Sequence, residues 1–120
     1  ARGKCFAFVG DGAMLMQNEV STAVAMQAPV VWVVFNDGRY GLVDEGMRAN
    51  GFPACDLAIP PVDFAAQAIA LGAHGVRVLN EDDLEAVFVD ALEARGPVVI
   101  DVWIDRSERA PVGERNASLN

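Results

Sequence analysis

Two short stretches hold the side chains with the greatest capacity for chemistry. In "FVGDGAMLMQNEV", residues 8–20, Asp11 stands between Gly10 and Gly12, just ahead of a helical run. A helix N-terminus draws an anion to its N–H groups, and a carboxylate beside that anion is repelled unless a cation lies between them. In "FNDGRYG", residues 35–41, Asn36 and Asp37 offer side-chain oxygens and Gly38 permits a tight turn. Such a turn can aim a main-chain carbonyl, such as that of Arg39, inward. Mg2+ takes oxygen ligands in an octahedron and commonly bridges one or two protein carboxylates to phosphates. The expected chemistry is a cation held between the two loops, with the amides of Gly12 and Ala13 turned toward an oxyanion. Gly-Asp-Gly and Asn-Asp-Gly are each ordinary turns when taken singly. Their pairing, each directly behind an apolar run, is what points to a site.

The elements that must position these loops alternate along the chain. "KCFAFVG" (4–10) and "PVVWVVFN" (29–36) are short apolar runs rich in β-branched and aromatic residues, which predicts strands buried on both faces. Between them, residues 13–27 carry Met14, Val20, Val24 and Met26 among good helix formers, and Pro29 stops the run. A second helix is predicted from Asp63 to Gly72, then a short strand in "HGVRVL". Asn80 opens a capped helix with Leu84, Val87, Phe88, Ala91 and Leu92 at helical spacing, and "GPVVIDVWID" (96–105) supplies a last strand. Residues 41–62, with Gly46, Gly51, Pro53, Pro60 and Pro61, read as loop with at most a short helix. The fold class is therefore α/β, a mostly parallel sheet with helices on both faces. Ligands of such sheets bind beyond the carboxyl ends of the strands, where both loops should lie on one edge.

Composition narrows the partners. The 120 residues are 52% hydrophobic, ample for one packed core, and the formal charge of −8 argues against a nucleic-acid or anionic-membrane surface. No apolar stretch is long enough to cross a bilayer, and a cytoplasmic, reducing compartment fits the two cysteines. Cys5, inside an apolar strand, is expected to be a free buried thiol. Asn116-Ala117-Ser118 matches the glycosylation sequon, a three-residue pattern frequent by chance. The start, "ARGKCFAFVGDG", has no Met and feeds straight into a strand, so the sequence reads as cut from something longer on its N-terminal side. Residues 1–106 form the expected domain, and 107–120 a polar tail, mobile or docked on a partner.

"GDGAMLMQNEVSTAV" followed by "PVVWVVFNDGRYGLV" resembles the diphosphate-binding motif of thiamine diphosphate-dependent enzymes, in which Gly-Asp-Gly is followed by Asn-Asn. Glu19, Thr22, Ala23, Pro29 and Tyr40-Gly41 match supporting positions, and "FAAQAIALGAHGVRV" with "LEAVFVDALEARGPVVIDVWID" is similar to the end of the same domain. The resemblance implies the thiamine diphosphate-binding fold, with Asp11, Asp37 and the carbonyl of Arg39 on Mg2+ and the cofactor contacted by Gly10, Asp11, Gly12, Ala13, Asp37, Arg39, Tyr40 and Gly41. Two positions depart from the motif. Asp37 replaces an Asn and adds a negative charge beside an anionic cofactor, which weakens binding or shifts the preferred cation unless Arg39 compensates. Ala13 replaces a frequent Ser and keeps only the amide. Val43 stands where the pyruvate-decarboxylase branch has an acidic residue, which resembles acetolactate synthase and its relatives. The implied activity is decarboxylation of a 2-oxo acid with ligation of the product, in a homodimer or homotetramer. The glutamate that activates the cofactor's aminopyrimidine belongs to a separate pyrimidine-binding domain of the same parent chain or a neighbouring subunit, and nothing here matches it. No catalytic residue is assigned to this chain, which alone is expected to be inactive.

Other residues read more plainly. His74 is expected at the surface or in a turn, Asp44 and Glu45 as solvated loop charges, Met14, Met16 and Met26 as core filler, and Trp32 and Trp103 as packing residues. Two alternatives stand beside the enzyme reading. One is a non-catalytic domain of the same fold acting as a binding or oligomerisation module, which Asp37 favours. The other is an unrelated nucleotide-binding protein, disfavoured by the lack of a Gly-x-Gly-x-x-Gly or Walker pattern.

Overall fold

In the computed structural model, residues 3–16 and 19–108 are described. Four parallel strands, β1 (Cys5–Gly10), β2 (Val30–Asn36), β3 (His74–Val78) and β4 (Val98–Trp103), lie in the order β1-β2-β4-β3. The two central strands carry the most continuous apolar runs, and Val31, Val33, Val34, Val98, Val99 and Ile100 are all buried. β1 departs from expectation. It pairs on one side only, none of its residues is fully buried, Phe8 is 62% exposed, and the thiol of Cys5 is free and exposed rather than buried.

Helices α1 (Asp11–Met14), α2 (Glu19–Met26) and α4 (Phe64–Ala70) supply one face of the sheet. There Met14, Val20, Ala23, Phe64 and Ala68 pack on Trp32, Val34 and Val99. Helix α5 (Leu84–Glu93) covers the other face, where Ala91, Val87 and Phe88 meet Val31, Val33, Val98 and Ile100, and the rings of Phe6 and Phe88 stack at 5.9 Å. The helix predicted over 13–27 is observed as α1 and α2, with 17–18 outside the described residues. Met14 is core as expected, but Met16 and Met26 are exposed. Met26 lies six residues past the buried Val20, about 240° around the helix, and so faces away from the sheet.

The other starts and stops follow the capping residues. Asp63 accepts the Ala66 N–H at 2.8 Å and opens α4, and Gly72 beyond its end takes φ +89°. The Asn80 side chain accepts the Asp82 N–H at 3.2 Å, starting a 3-10 turn (Glu81–Asp83) that leads into α5. Residues 41–62 hold a short helix, α3 (Gly41–Ala49), followed by loop, as expected. The helix buries none of its residues, and its Gly41 and Gly46 read locally as helix breakers. Beyond it the chain returns alongside the second loop, with Tyr40 N–H on the Leu57 carbonyl at 3.0 Å and Ile59 N–H on that of Gly38 at 2.9 Å. Ser107 and Glu108 of the polar tail form part of a turn; the rest of the tail, with the sequon, lies outside the described residues. No helix among the described residues is long and apolar enough to cross a membrane.

Candidate cofactor site

The register of β1 on β2 places the site. Gly10 pairs with Phe35 in parallel, so Asp11 and the stretch Asn36–Arg39 leave the sheet side by side at its carboxyl edge. Asp11 is 5% exposed, and its two oxygens face both loops. Oδ1 accepts the Gly12 N–H at 2.7 Å; Oδ2 accepts the N–H groups of Gly38 at 2.8 Å and Arg39 at 3.3 Å. The second of these contacts joins turns that are 27 residues apart in sequence. Gly38 sits at φ +66°, where an L side chain is strained, so the turn that delivers both amides depends on glycine.

The Asp37 carboxylate is engaged within its own loop. Its Oδ2 accepts Arg39 Nε at 2.8 Å, with the Asp37 side chain 13% exposed. The hydrogen bond that Arg39 donates to Asp37, helped by the charges of Asp37, Asp44 and Glu45, outweighs desolvation and raises the guanidinium of Arg39 above its ordinary pKa. The charge that Asp37 adds in place of Asn thus has a partner two residues away. Asp44 corrects another expectation: it is not a solvated loop charge but lies in α3, 15% exposed, 2.9 Å from Arg48 and 3.7 Å from Arg39. The Arg39 carbonyl accepts the Gly41 N–H at 3.0 Å.

The remaining predicted residues surround this centre. Gly10 is the extended residue preceding α1, and Ala13 is an exposed residue within it. The Tyr40 ring lies against Gly12, where a Cβ would come within 2.6 Å of Cε1; at Gly41 a Cβ would meet Asp37 Oδ2 at 2.9 Å. Both positions therefore favour the absence of a side chain. The amide of Gly12 is turned onto its neighbour Asp11, so it does not point outward as the sequence reading expected.

Asn36 also departs from expectation. Its side chain turns into the protein, donating to Asp101 Oδ1 at 2.9 Å and to the Val62 carbonyl at 3.2 Å. Asp101, fully buried in β4, further accepts the Phe64 N–H at 3.2 Å and Arg77 at 3.2 Å. Arg77 reaches Asp63 at 3.1 Å and lies 5.5 Å over the ring of Trp103, which is 37% exposed and only partly a packing residue. Sequence reasoning missed Asp101, although a single acid inside "PVVIDVWI" was a usable signal, because a buried carboxylate needs partners. It missed Arg106 as well, which no local pattern distinguishes. His74 is exposed as expected, its Nε2 3.1 Å from the Arg95 carbonyl.

The donor chemistry suits a hard cation. Asp11 and Asp37 carry carboxylate oxygens and Arg39 a carbonyl of the kind such a cation takes, while no cluster of three or more His, Cys, Asp or Glu side chains suited to a metal occurs among the described residues. A four-stranded parallel sheet with helices on both faces, carrying such a loop pair at its carboxyl edge, defines an α/β domain with a candidate ligand site at that edge. Residues 1–102 match the family described as thiamine pyrophosphate enzyme, C-terminal TPP binding domain, and the chain belongs to that family. It is 42% identical over 103 residues to a Mycobacterium tuberculosis protein that carries the name of an acetolactate synthase large subunit, covering 85% of this chain and 19% of the relative. It is 37% identical over 102 residues to the acetolactate synthase of Bacillus subtilis, covering 82% and 18%. The crystal structure of benzoylformate decarboxylase from Polynucleobacter necessarius superposes with a TM-score of 0.77 at 30% identity, covering 87% of this chain and 20% of that one. The chain thus spans about a fifth of the length of these relatives.

Proposed function

We propose that this chain holds the diphosphate end of thiamine diphosphate through Mg2+, in an acetolactate synthase-like enzyme that decarboxylates a 2-oxo acid and ligates the product. The observation that carries this reading is the bond from the Gly38 amide to Asp11, which draws two oxygen-rich loops from distant parts of the chain to one point. Asp11, Asp37 and the carbonyl of Arg39 are the proposed Mg2+ ligands. Gly10, Gly12, Ala13, Tyr40 and Gly41 line the cofactor, with open space beside the Cα of Gly10. Arg39 offsets the charge of Asp37 next to an anionic cofactor. Thiamine diphosphate, when bound, supplies the carbanion chemistry of decarboxylation and carbon–carbon bond formation.

The chain's own contribution is to bind and orient the cofactor, and the pyrimidine-binding domain with its activating glutamate is proposed to come from the same parent chain or a neighbouring subunit of a cytoplasmic homo-oligomer. Similarity to proteins named acetolactate synthase supports ligation after decarboxylation, and Val43 in α3 agrees with that branch. Calorimetric titration of the full-length protein with thiamine diphosphate, with and without Mg2+, tests the reading. Mg2+-dependent binding is expected; no binding under either condition would leave the role of an interaction module.

A further inference from the structure

We propose that Arg106 is a positioning residue for Asp11, acting through the peptide planes of the turn at residues 37–39. The inference rests on the proposed function for the importance of Asp11, and on geometry for the rest. Arg106 follows β4 and is 69 residues from Asp37 in sequence, yet its Nε donates to the Asp37 carbonyl and its Nη2 lies 3.5 Å from that of Gly38. The N–H groups of these same two peptides, Gly38 and Arg39, are the ones that donate to Asp11 Oδ2. The first peptide is thus held at both ends, by the guanidinium on its oxygen and the carboxylate on its nitrogen; the oxygen of the second takes the Ile59 N–H at 2.9 Å, with Arg106 Nη2 farther off at 3.5 Å. A cation on the carbonyl polarises the amide and strengthens its N–H as a donor, so the charge of Arg106 acts on Asp11 without touching it.

Two details support a built arrangement. A Cβ at Gly38 would stand 2.5 Å from Arg106 Nη2, so the absence of a side chain there serves the approach of the arginine as well as the turn. The contact is also reciprocal, since Arg39 Nη2 donates to the Arg106 carbonyl at 2.6 Å. Arg106 itself sits in a turn in which the Ser107 N–H and hydroxyl both donate to Asp105 Oδ1 at 2.8 Å.

The test uses Arg106→Ala and Arg106→Lys in the full-length protein, with two readouts. Without cofactor, amide hydrogen exchange at Gly38 and Arg39 should quicken about fivefold in R106A, with partial recovery in R106K. With thiamine diphosphate present, the Mg2+ dissociation constant should rise about tenfold in R106A while kcat at saturating Mg2+ stays near wild type, the pattern of a residue that orients a ligand. Unchanged exchange at both amides overturns the inference, as does faster exchange with unaltered Mg2+ affinity. If the wild type itself binds no Mg2+ and cofactor, the proposed function fails, and the exchange measurement alone decides whether Arg106 governs the turn.

Discussion

Asn36 donates its side-chain amide to the buried carboxylate of Asp101 at 2.9 Å, and the next residue is a proposed metal ligand. The end of β2 is therefore fixed from β4, just where the second loop leaves the sheet. The other oxygen of Asp101 takes the Phe64 N–H and Arg77, so the same carboxylate ties the start of α4 to the sheet. One buried acid organises three elements around the site while remaining outside it.

Asp101→Ala should strand the Phe64 N–H and one N–H of the Asn36 amide, while Asn36 keeps the Val62 carbonyl and Arg77 keeps Asp63. The expected loss is about 2–4 kcal/mol of stability, since buried donors stranded by truncation cost about 1–3 kcal/mol each and partly exposed Arg77 recovers water. Urea denaturation of the full-length protein checks it. A change within about 0.5 kcal/mol, the range of ordinary surface substitutions, would show that Asp101 does not hold these elements.

Gly75→Ala tests the packing of α4 on β3. A Cβ at Gly75 would collide with the Ala65 backbone, which cannot swing aside as a flexible side chain would. Overpacking of this kind costs about 1–3 kcal/mol, so the unfolding midpoint should fall accordingly. An unchanged midpoint would mean that α4 has room to shift.

The framework was readable in advance because each of its elements leaves a local mark. β2 and β4 are continuous apolar runs, Asp63 and Asn80 are capping residues at helix starts, and Gly72 ends a helix. Both loops of the site were legible too, as turn residues placed behind strands. What failed depends on neighbours that a local pattern cannot name. Cys5 and Phe8 sit in a run as apolar as β2, but β1 pairs on one side only and leaves them exposed. Asn36 and Asp37 look equivalent as oxygen donors, yet strand alternation turns the first toward Asp101 and leaves the second at the loop. The grip of Arg106 on the turn joins residues too far apart in sequence to show any period.

Arg39 and Asp37 should be coupled in cofactor affinity. Arg39→Met removes the guanidinium 2.8 Å from Asp37 and leaves an uncompensated carboxylate beside the diphosphate, which should weaken thiamine diphosphate binding. Because the pair is partly exposed, the effect should be modest, about two- to fivefold in Kd. Adding Asp37→Asn to Arg39→Met should recover most of the loss, as a double-mutant cycle by calorimetry would reveal. Strictly additive effects would show that Arg39 does not compensate Asp37.

The meeting of the two loops on one cation is tested most directly by calorimetric titration of Mg2+ and thiamine diphosphate into the full-length protein and its Asp11→Ala variant. Asp11 is the residue on which the amides of both loops converge, so the variant should lose Mg2+-dependent binding of the cofactor while the wild type retains it. An Asp11→Ala titration that overlays the wild-type curve would contradict the assignment.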